Sequence, residues 1–316
     1  MIPPSRDPFP HGSGQFPHEE RDLGASAGLL AAWFAARARD LPWRPTDPLR
    51  RHPWGVLVSE VMLQQTPVDR VIPAWTQWMQ RWPTPADLAG ASPADAIRAW
   101  GRLGYPRRAV RLHAAAVAIT EDHGGSVPDD AASLRALPGV GEYTAGAVLA
   151  FGFGRPALTL DTNVRRVIAR HDAGQEFPSA SVTVGERSRA LEMMPSSGAD
   201  RWMAALMELG ALVCTSRAPD CSRCPLARGC RWLALGRPPG NAPRPQARYA
   251  GSDRQARGAL LAVLRAQEGP VTQRRIDAAW PDAIQRARAL DGLVADGLVV
   301  PAPRGRWSLP AINPPG

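Results

Sequence analysis

All four cysteines of this 316-residue chain lie between positions 214 and 230, as Cys214, Cys221, Cys224 and Cys230 in a C-x6-C-x2-C-x5-C run. Thiols this crowded cannot staple distant parts of a chain together, and they point to a metal or cluster that they share. Structural zinc usually takes its ligands as two close pairs, whereas here only Cys221 and Cys224 are so paired. A [4Fe–4S] cluster needs four thiolates and tolerates irregular loops between them, so the spacing favours one such cluster, with zinc or free thiols as the alternatives. With all four iron positions taken by protein, its role would be structural. Arg217, Arg223, Arg228 and Arg231 decorate the same loop and would present positive charge.

The loop closes a body, residues 23–235, that reads almost wholly as helices. Val68, Val71, Ile72, Trp75, Met79 and Trp82 recur at helical steps, with Thr66 placed as N-cap and Pro67 as first helical residue. Similar stripes run through 112–119, 144–151, 164–168 and 202–213, and no run of strands interrupts them. Residues 1–22 lack apolar periodicity and predict a disordered leader. Residues 236–252 are rich in Pro and Gly and predict a linker, and 311–316 form a tail. Between those, 253–310 read as three short helices followed by two strands around a Pro/Gly/Arg tip, the plan of a winged helix-turn-helix. Eleven Arg against six acids give residues 244–316 a charge of +5 out of the total of +9. That segment is either a nucleic-acid-contacting module or a small packing domain.

All 38 basic residues are Arg. A lysine Schiff base, a Walker-type phosphate-binding Lys and a pyridoxal-phosphate Lys are therefore excluded. A GC-rich genome would produce the same preference, but the surplus of positive charge still suggests a polyanionic partner. The longest apolar stretch, 145–154, is far short of the roughly 20 residues a membrane span needs. No basic segment leads into an apolar one at the N-terminus, so a cytoplasmic protein without membrane attachment is expected.

Two further motifs follow each other. Residues 137–146, LPGVGEYTAG, predict a helix end, a tight turn and a new helix. The glycines would let the backbone approach a phosphate closely and leave N–H groups at a helix start facing it, although such a turn can also be a simple connection. Next, LTLDTNVRR places Asp161 to cap the helix carrying Val164 and Val167. Asp161 is then either an ordinary cap or a carboxylate kept ionised by the helix dipole, suited to stabilising a cationic transition state.

Hairpin, downstream aspartate and four-cysteine loop, in that order, resemble the helix-hairpin-helix DNA glycosylase superfamily, which includes endonuclease III, over about residues 28–235. Within it, Val58–Thr66 (VSEVMLQQT), preceded by Leu41-Pro42-Trp43-Arg44, is similar to the MutY-type adenine DNA glycosylases, which remove adenine mispaired with 8-oxoguanine or guanine. The resemblance implies a mainly α fold, with a six-helix barrel module at about 50–155, an iron–sulfur cluster module from 23–49 plus 156–235, and the winged-helix-like domain appended. It also implies that Glu60 is the catalytic acid, Asp161 the catalytic carboxylate, and Tyr143 and Asn163 their supports. Gln65 and Tyr105 would wedge into the base stack. Trp43, Arg44, Leu63, Gln64, Gly139, Val140 and Gly141 would bind substrate or DNA, and the four cysteines would hold one [4Fe–4S] cluster. The partner would be double-stranded DNA with A:8-oxoguanine or A:G mispairs, bound by a monomer associated with the nucleoid.

The residues agree with that chemistry. Glu60 sits among Leu57, Val58, Val61, Met62 and Leu63, so burial should raise its pKa and hold a proton for adenine N7. Asp161 should stay charged. Lyase members of the superfamily carry Lys two residues after the second hairpin glycine, where this chain has Tyr143, so base removal without strand cleavage is expected. Three positions depart from the family. Thr162 replaces a usual Gly, Ala204 stands where relatives place Glu or Gln near the adenine, and nothing after Ser252 has the strand content of the Nudix-like domain many members carry. A pyrimidine-mismatch glycosylase and a non-enzymatic iron–sulfur DNA-binding regulator are the alternatives.

Overall fold

The structure, a computed structural model, describes residues 23–45, 47–241 and 248–311. The leader and all of the tail except Ala311 lie outside the described residues. Three cores organise the rest.

The first core surrounds α2 (Pro53–Leu63), in which every residue from Trp54 to Met62 is buried. A helix apolar on all sides needs neighbours on all sides. They are α3 (Val68–Arg81), α6 (Arg107–Asp122) and α8 (Glu142–Ala147), which runs on as a π-helical turn through Val148–Gly152. His52 starts α2 by accepting the Gly55 N–H at Nδ1, 2.9 Å, with Pro53 at the first helical position. The periodic stripe from Val68 to Trp82 does form α3, but Thr66 does not cap it. Pro67 is the N-cap, without a side-chain bond. Thr66 Oγ1 instead bonds the Leu103 carbonyl at 3.2 Å and accepts from Arg108 at 3.0 Å. Leu41 and Trp43 also pack in this core, while Arg44 beside them reaches Glu208 on 199–212, so this segment touches both modules.

The second core joins α1 (Leu23–Arg37), α9 (Thr162–His171) and α11 (Ala199–Leu212) through Leu30, Val164, Ile168, Met203, Leu206 and Leu209. Cys214 and Cys224 pack at its edge, so the cysteine loop is anchored to the helix that Asp161 begins.

The third core is the C-terminal module: α13 (Asp253–Arg265), α14 (Gln273–Ala279) and α15 (Ala283–Ala295) with a small antiparallel sheet. The sheet has three strands in the order β1-β3-β2, from Val271–Thr272, Arg306–Ser308 and Val300–Ala302. The expected hairpin is β2 and β3. A two-residue strand before α14 carries too little periodicity to be read from sequence.

This module is docked rather than merely tethered. Between the modules, α5 (Pro93–Trp100) has two apolar faces, Ala96 and Trp100 toward the first core and Ala94 and Ile97 toward the third. Arg265 of α13 completes the joint, donating from Nε to the Ile97 carbonyl at 2.9 Å and from Nη1 to the Gly101 carbonyl at 2.5 Å. Burial lowers its pKa to about 10. Arg265→Ala is expected to cost about 1–3 kcal/mol, because two carbonyls lose their donor at once. Urea unfolding measures it, and a loss below a few tenths of a kcal/mol would show the joint to be dispensable.

Candidate active site

Glu60 lies near the C-terminal end of α2 and is only 5% exposed. Its carboxyl accepts a hydrogen bond from the Tyr143 hydroxyl. Burial raises its pKa to about 7, and the nearby negative charge of Asp161 pushes the same way. Tyr143 and the positive charge of Arg44 oppose that rise. The Tyr143 hydroxyl, itself buried between two carboxyls, is held well above its ordinary pKa and remains a donor.

Asp161 reaches this pocket because the chain before it runs hard against α8. A Cβ on Gly146 would collide with the Leu158 carbonyl, so only glycine admits the approach. Asp161 caps α9 as expected: Oδ1 accepts the Asn163 and Val164 N–H groups at 2.9 and 2.7 Å, and Oδ2 accepts Asn163 Nδ2 at 2.9 Å. The helix start does not decide its protonation alone. Burial raises the pKa of Asp161, against the lowering effect of those donors and of Arg166.

Behind the pair, Arg166 ties the site to the cysteine loop. It donates to Asn163 Oδ1, the Gly210 carbonyl and the Cys214 carbonyl, each at 2.7 Å. Gly210 is required where α11 crosses α9, since a Cβ there would lie 2.7 Å from that of Asn163. Neither residue carries a motif signal, and only the packing shows their place. Ala204 is buried in α11 and supplies no polar group.

The expected wedges share an unusual backbone. Gln65 and Tyr105 are two of only four described non-glycine residues with positive φ, at 55° and 46°. Such conformations cost about 1–3 kcal/mol and concentrate at functional sites. One buried arginine holds both turns. Arg108 donates to the carbonyls of Val61, Met62 and Gln64 at 2.8, 2.9 and 2.6 Å, and to the Gly104 carbonyl at 2.9 Å. Gln64 and Gln65 are exposed and Leu63 is half-buried against the first core.

The hairpin forms between α7 (Ala131–Ala136) and α8. Gly139 needs to be glycine, with φ 80° and its missing Cβ 2.9 Å from Arg111. Gly141 is extended at φ −94° in open space, so its backbone makes no such demand. Val140 is buried beneath the turn. Two other residues expected to bind substrate or DNA have partners within the protein. Trp43 is buried edge-on to Trp75, with ring centroids 5.8 Å apart, and Arg44 is turned inward onto Glu208 at 3.1 Å.

The four cysteines form no disulfide and line a single cavity with Arg170. Burial and neighbouring sulfurs push the Cys224 thiol up to about 12, and burial raises Cys230. Such thiols ionise only beside strong positive charge, as a metal centre provides. Arg170 Nη1 approaches Cys214 Sγ at 3.4 Å. Among the described residues, no three His, Cys, Asp or Glu side chains are grouped to hold a single metal ion. The arginines of the loop, Arg217, Arg223, Arg228 and Arg231, are all exposed.

A buried proton-holding glutamate, a second carboxylate at a helix start and a glycine-turn hairpin define the class of helix-hairpin-helix base excision enzymes. Residues 58–192 match the HhH-GPD superfamily of base excision DNA repair proteins. The chain belongs to the adenine DNA glycosylase family. It is 50% identical over 285 residues to the adenine DNA glycosylase of Mycobacterium tuberculosis, covering 89% of this chain and 92% of that one. The human adenine DNA glycosylase is 41% identical over 216 residues, 66% of this chain and 40% of the human one. Among solved structures, a thermostable thymine-DNA glycosylase superposes with a TM-score of 0.60 at 25% identity, covering 67% of this chain and 97% of that one. A trapped endonuclease III–DNA covalent intermediate shares the fold, with TM-score 0.57 at 22% identity over 68% and 96% of the two chains. DNA is thus the partner. Among the described residues, no helix is long and apolar enough to cross a membrane.

Proposed function

We propose that this adenine DNA glycosylase hydrolyses the N-glycosidic bond of adenine opposite 8-oxoguanine or guanine, as a monomer, and stops at the abasic site. The observation that carries this reading is the pairing of Glu60, protonated up to about pH 7, with Asp161 at the start of α9. A flipped adenine is a poor leaving group until a proton reaches its N7, and Glu60 has one to give. The sugar then develops oxocarbenium character, which the Asp161 carboxylate stabilises while Asn163 fixes its orientation. Once deprotonated, Glu60 can take a proton from the attacking water, with Tyr143 holding its carboxyl in place. Every basic residue is Arg, so no lysine amine is present to form a Schiff base and cleave the strand.

Duplexes carrying A opposite 8-oxoguanine, A opposite G, T opposite G and U opposite G test the reading. Free adenine from the first two, with strands broken only after alkali, is expected. Release of thymine or uracil alone would favour a pyrimidine-mismatch enzyme.

Cys214, Cys221, Cys224 and Cys230 would hold one [4Fe–4S] cluster, which serves structure rather than bond breaking. Four thiols lining one cavity, with only Cys221 and Cys224 spaced as a close pair, support the cluster over zinc. A broad visible absorption band from purified protein checks it. Gln65 and Tyr105 would fill the stack vacated by the flipped base. Tyr105→Ala is expected to weaken mismatch binding and flipping about tenfold or more, since base–aromatic stacking is worth about 1–3 kcal/mol. The fluorescence of 2-aminopurine beside the mispair reports the flipping, and an unchanged signal would place Tyr105 outside the stack.

A further inference from the structure

Between the turn that carries Gln65 and the hairpin turn lies a cleft for which the proposed chemistry has no use. Its rim is exposed and consists of Gln64, Arg111 of α6, Pro138 and Gly139, over a buried apolar floor that includes Val140. No described acidic residue lines it. Two cations do, and they are engaged differently. Arg108 is buried, and its terminal nitrogens are taken up by backbone carbonyls and by Thr66 Oγ1. Arg111 is exposed and, among the described residues, has no hydrogen-bond or ion-pair partner. Its stem is nonetheless fixed against the hairpin: a Cβ on Gly139 would lie 2.9, 3.2 and 3.5 Å from Arg111 Cβ, Cδ and Cγ. A packed stem that leaves an unengaged guanidinium at an acid-free cleft is built to receive an anion.

The occupant that fits is a backbone phosphate of the bound duplex. A strand that meets both the Gln65 turn and the hairpin has to cross the cleft between them. The turn does not hold that strand with all of its own donors, because Val140 spends its N–H on the Leu137 carbonyl at 3.1 Å. We propose that the cleft is a phosphodiester site and that Arg111 is its cation, clamping one phosphate of the strand that passes from Gln65 to the hairpin. The inference rests on reading the Gln65 turn and the hairpin as DNA contacts. Arginine suits the task, since its planar fork offers two N–H groups to two phosphate oxygens at once. Arg111 also stands one turn after Arg108 on α6, so the helix that fixes the Gln65 turn also places the clamp.

Fluorescence anisotropy with the full-length protein tests this, on an A:8-oxoguanine duplex whose adenosine carries a 2′-fluorine that blocks cleavage, from about 50 to 200 mM salt. Arg111→Met keeps the stem against Gly139 and removes the charge. It should weaken binding about fivefold or more and reduce the slope of log Kd against log salt by about one. Arg111→Lys should keep the slope. A neutral methylphosphonate, placed in turn at each phosphate around the adenine, should find one position that weakens wild type and leaves Arg111→Met nearly unaffected. That position is the phosphate Arg111 holds, because a general loss of positive field or of fold would leave the effect of every position in place. An unchanged slope in Arg111→Met, a slope lost equally in Arg111→Lys, or the absence of any such position overturns the proposal. A 2-aminopurine signal unchanged by Gln65→Ala overturns the stack-filling role of Gln65 alone, since the slope and the phosphate scan need no flipped base.

Discussion

Glu60→Gln is expected to slow adenine release by about 10³-fold or more, at the upper end of what a single general acid contributes. The amide fits the same buried space beside Tyr143 but has no proton to give to N7. Binding of the mismatch duplex should be retained, because Glu60 is buried and a carboxyl does not attract phosphate. The variant should also be more stable than wild type in alkali. The folded pKa of Glu60 lies at about 7 against an ordinary 4.5, so the stability that its protonated form contributes is fully present below about pH 4.5 and is lost as pH rises to 7. The loss is on the order of 3 kcal/mol, and glutamine, which does not titrate, escapes it. Urea unfolding of both proteins at pH 5 and pH 8 reads the difference. An inactive variant with no gain at pH 8 would mean that Glu60 is not buried as an acid.

Asp161→Asn should be nearly as damaging for a different reason. Asn is as good an N-cap as Asp, so α9 keeps its bonds to the Asn163 and Val164 N–H groups and the fold survives. What disappears is a negative charge in a poorly solvated site, next to the developing oxocarbenium. Fixed charges of this kind are worth about 10²–10³ in rate. Single-turnover excision measures it, with circular dichroism confirming that helix content is intact. A variant within tenfold of wild type would reduce Asp161 to its capping role. The two substitutions should also differ in pH behaviour. Glu60→Gln abolishes the fall in rate near neutrality, whereas Asp161→Asn should add no new one.

The local placement of the two carboxylates was legible because it is set by short patterns. Asp161 caps its helix through neighbours two and three residues away, and Glu60 is buried because the residues around it along α2 are apolar. Gly139 is likewise demanded by its own turn. Long-range partners were not legible. The family resemblance implies a binding role for Arg44, and only the packed molecule shows its bond to Glu208, 164 residues away. The packing of Trp43 into the first core likewise shows only in the folded molecule. Thr66 had a good capping pattern and lost to a tertiary bond from Arg108.

Sequence by itself determined the helical body, the order hairpin–aspartate–cysteine loop and the absence of any lysine side chain. Each depends on residue type and near-neighbour spacing, which survive any global arrangement. Tertiary structure alone decided how those parts meet: Tyr143 against Glu60, Arg166 joining Asn163 to Cys214, one Arg108 holding two left-handed turns, and a C-terminal module clamped to α5 by Arg265. The protonation of Asp161 belongs here too. The helix start favours charge, whereas burial by distant segments opposes it, and only the packed molecule shows both at once.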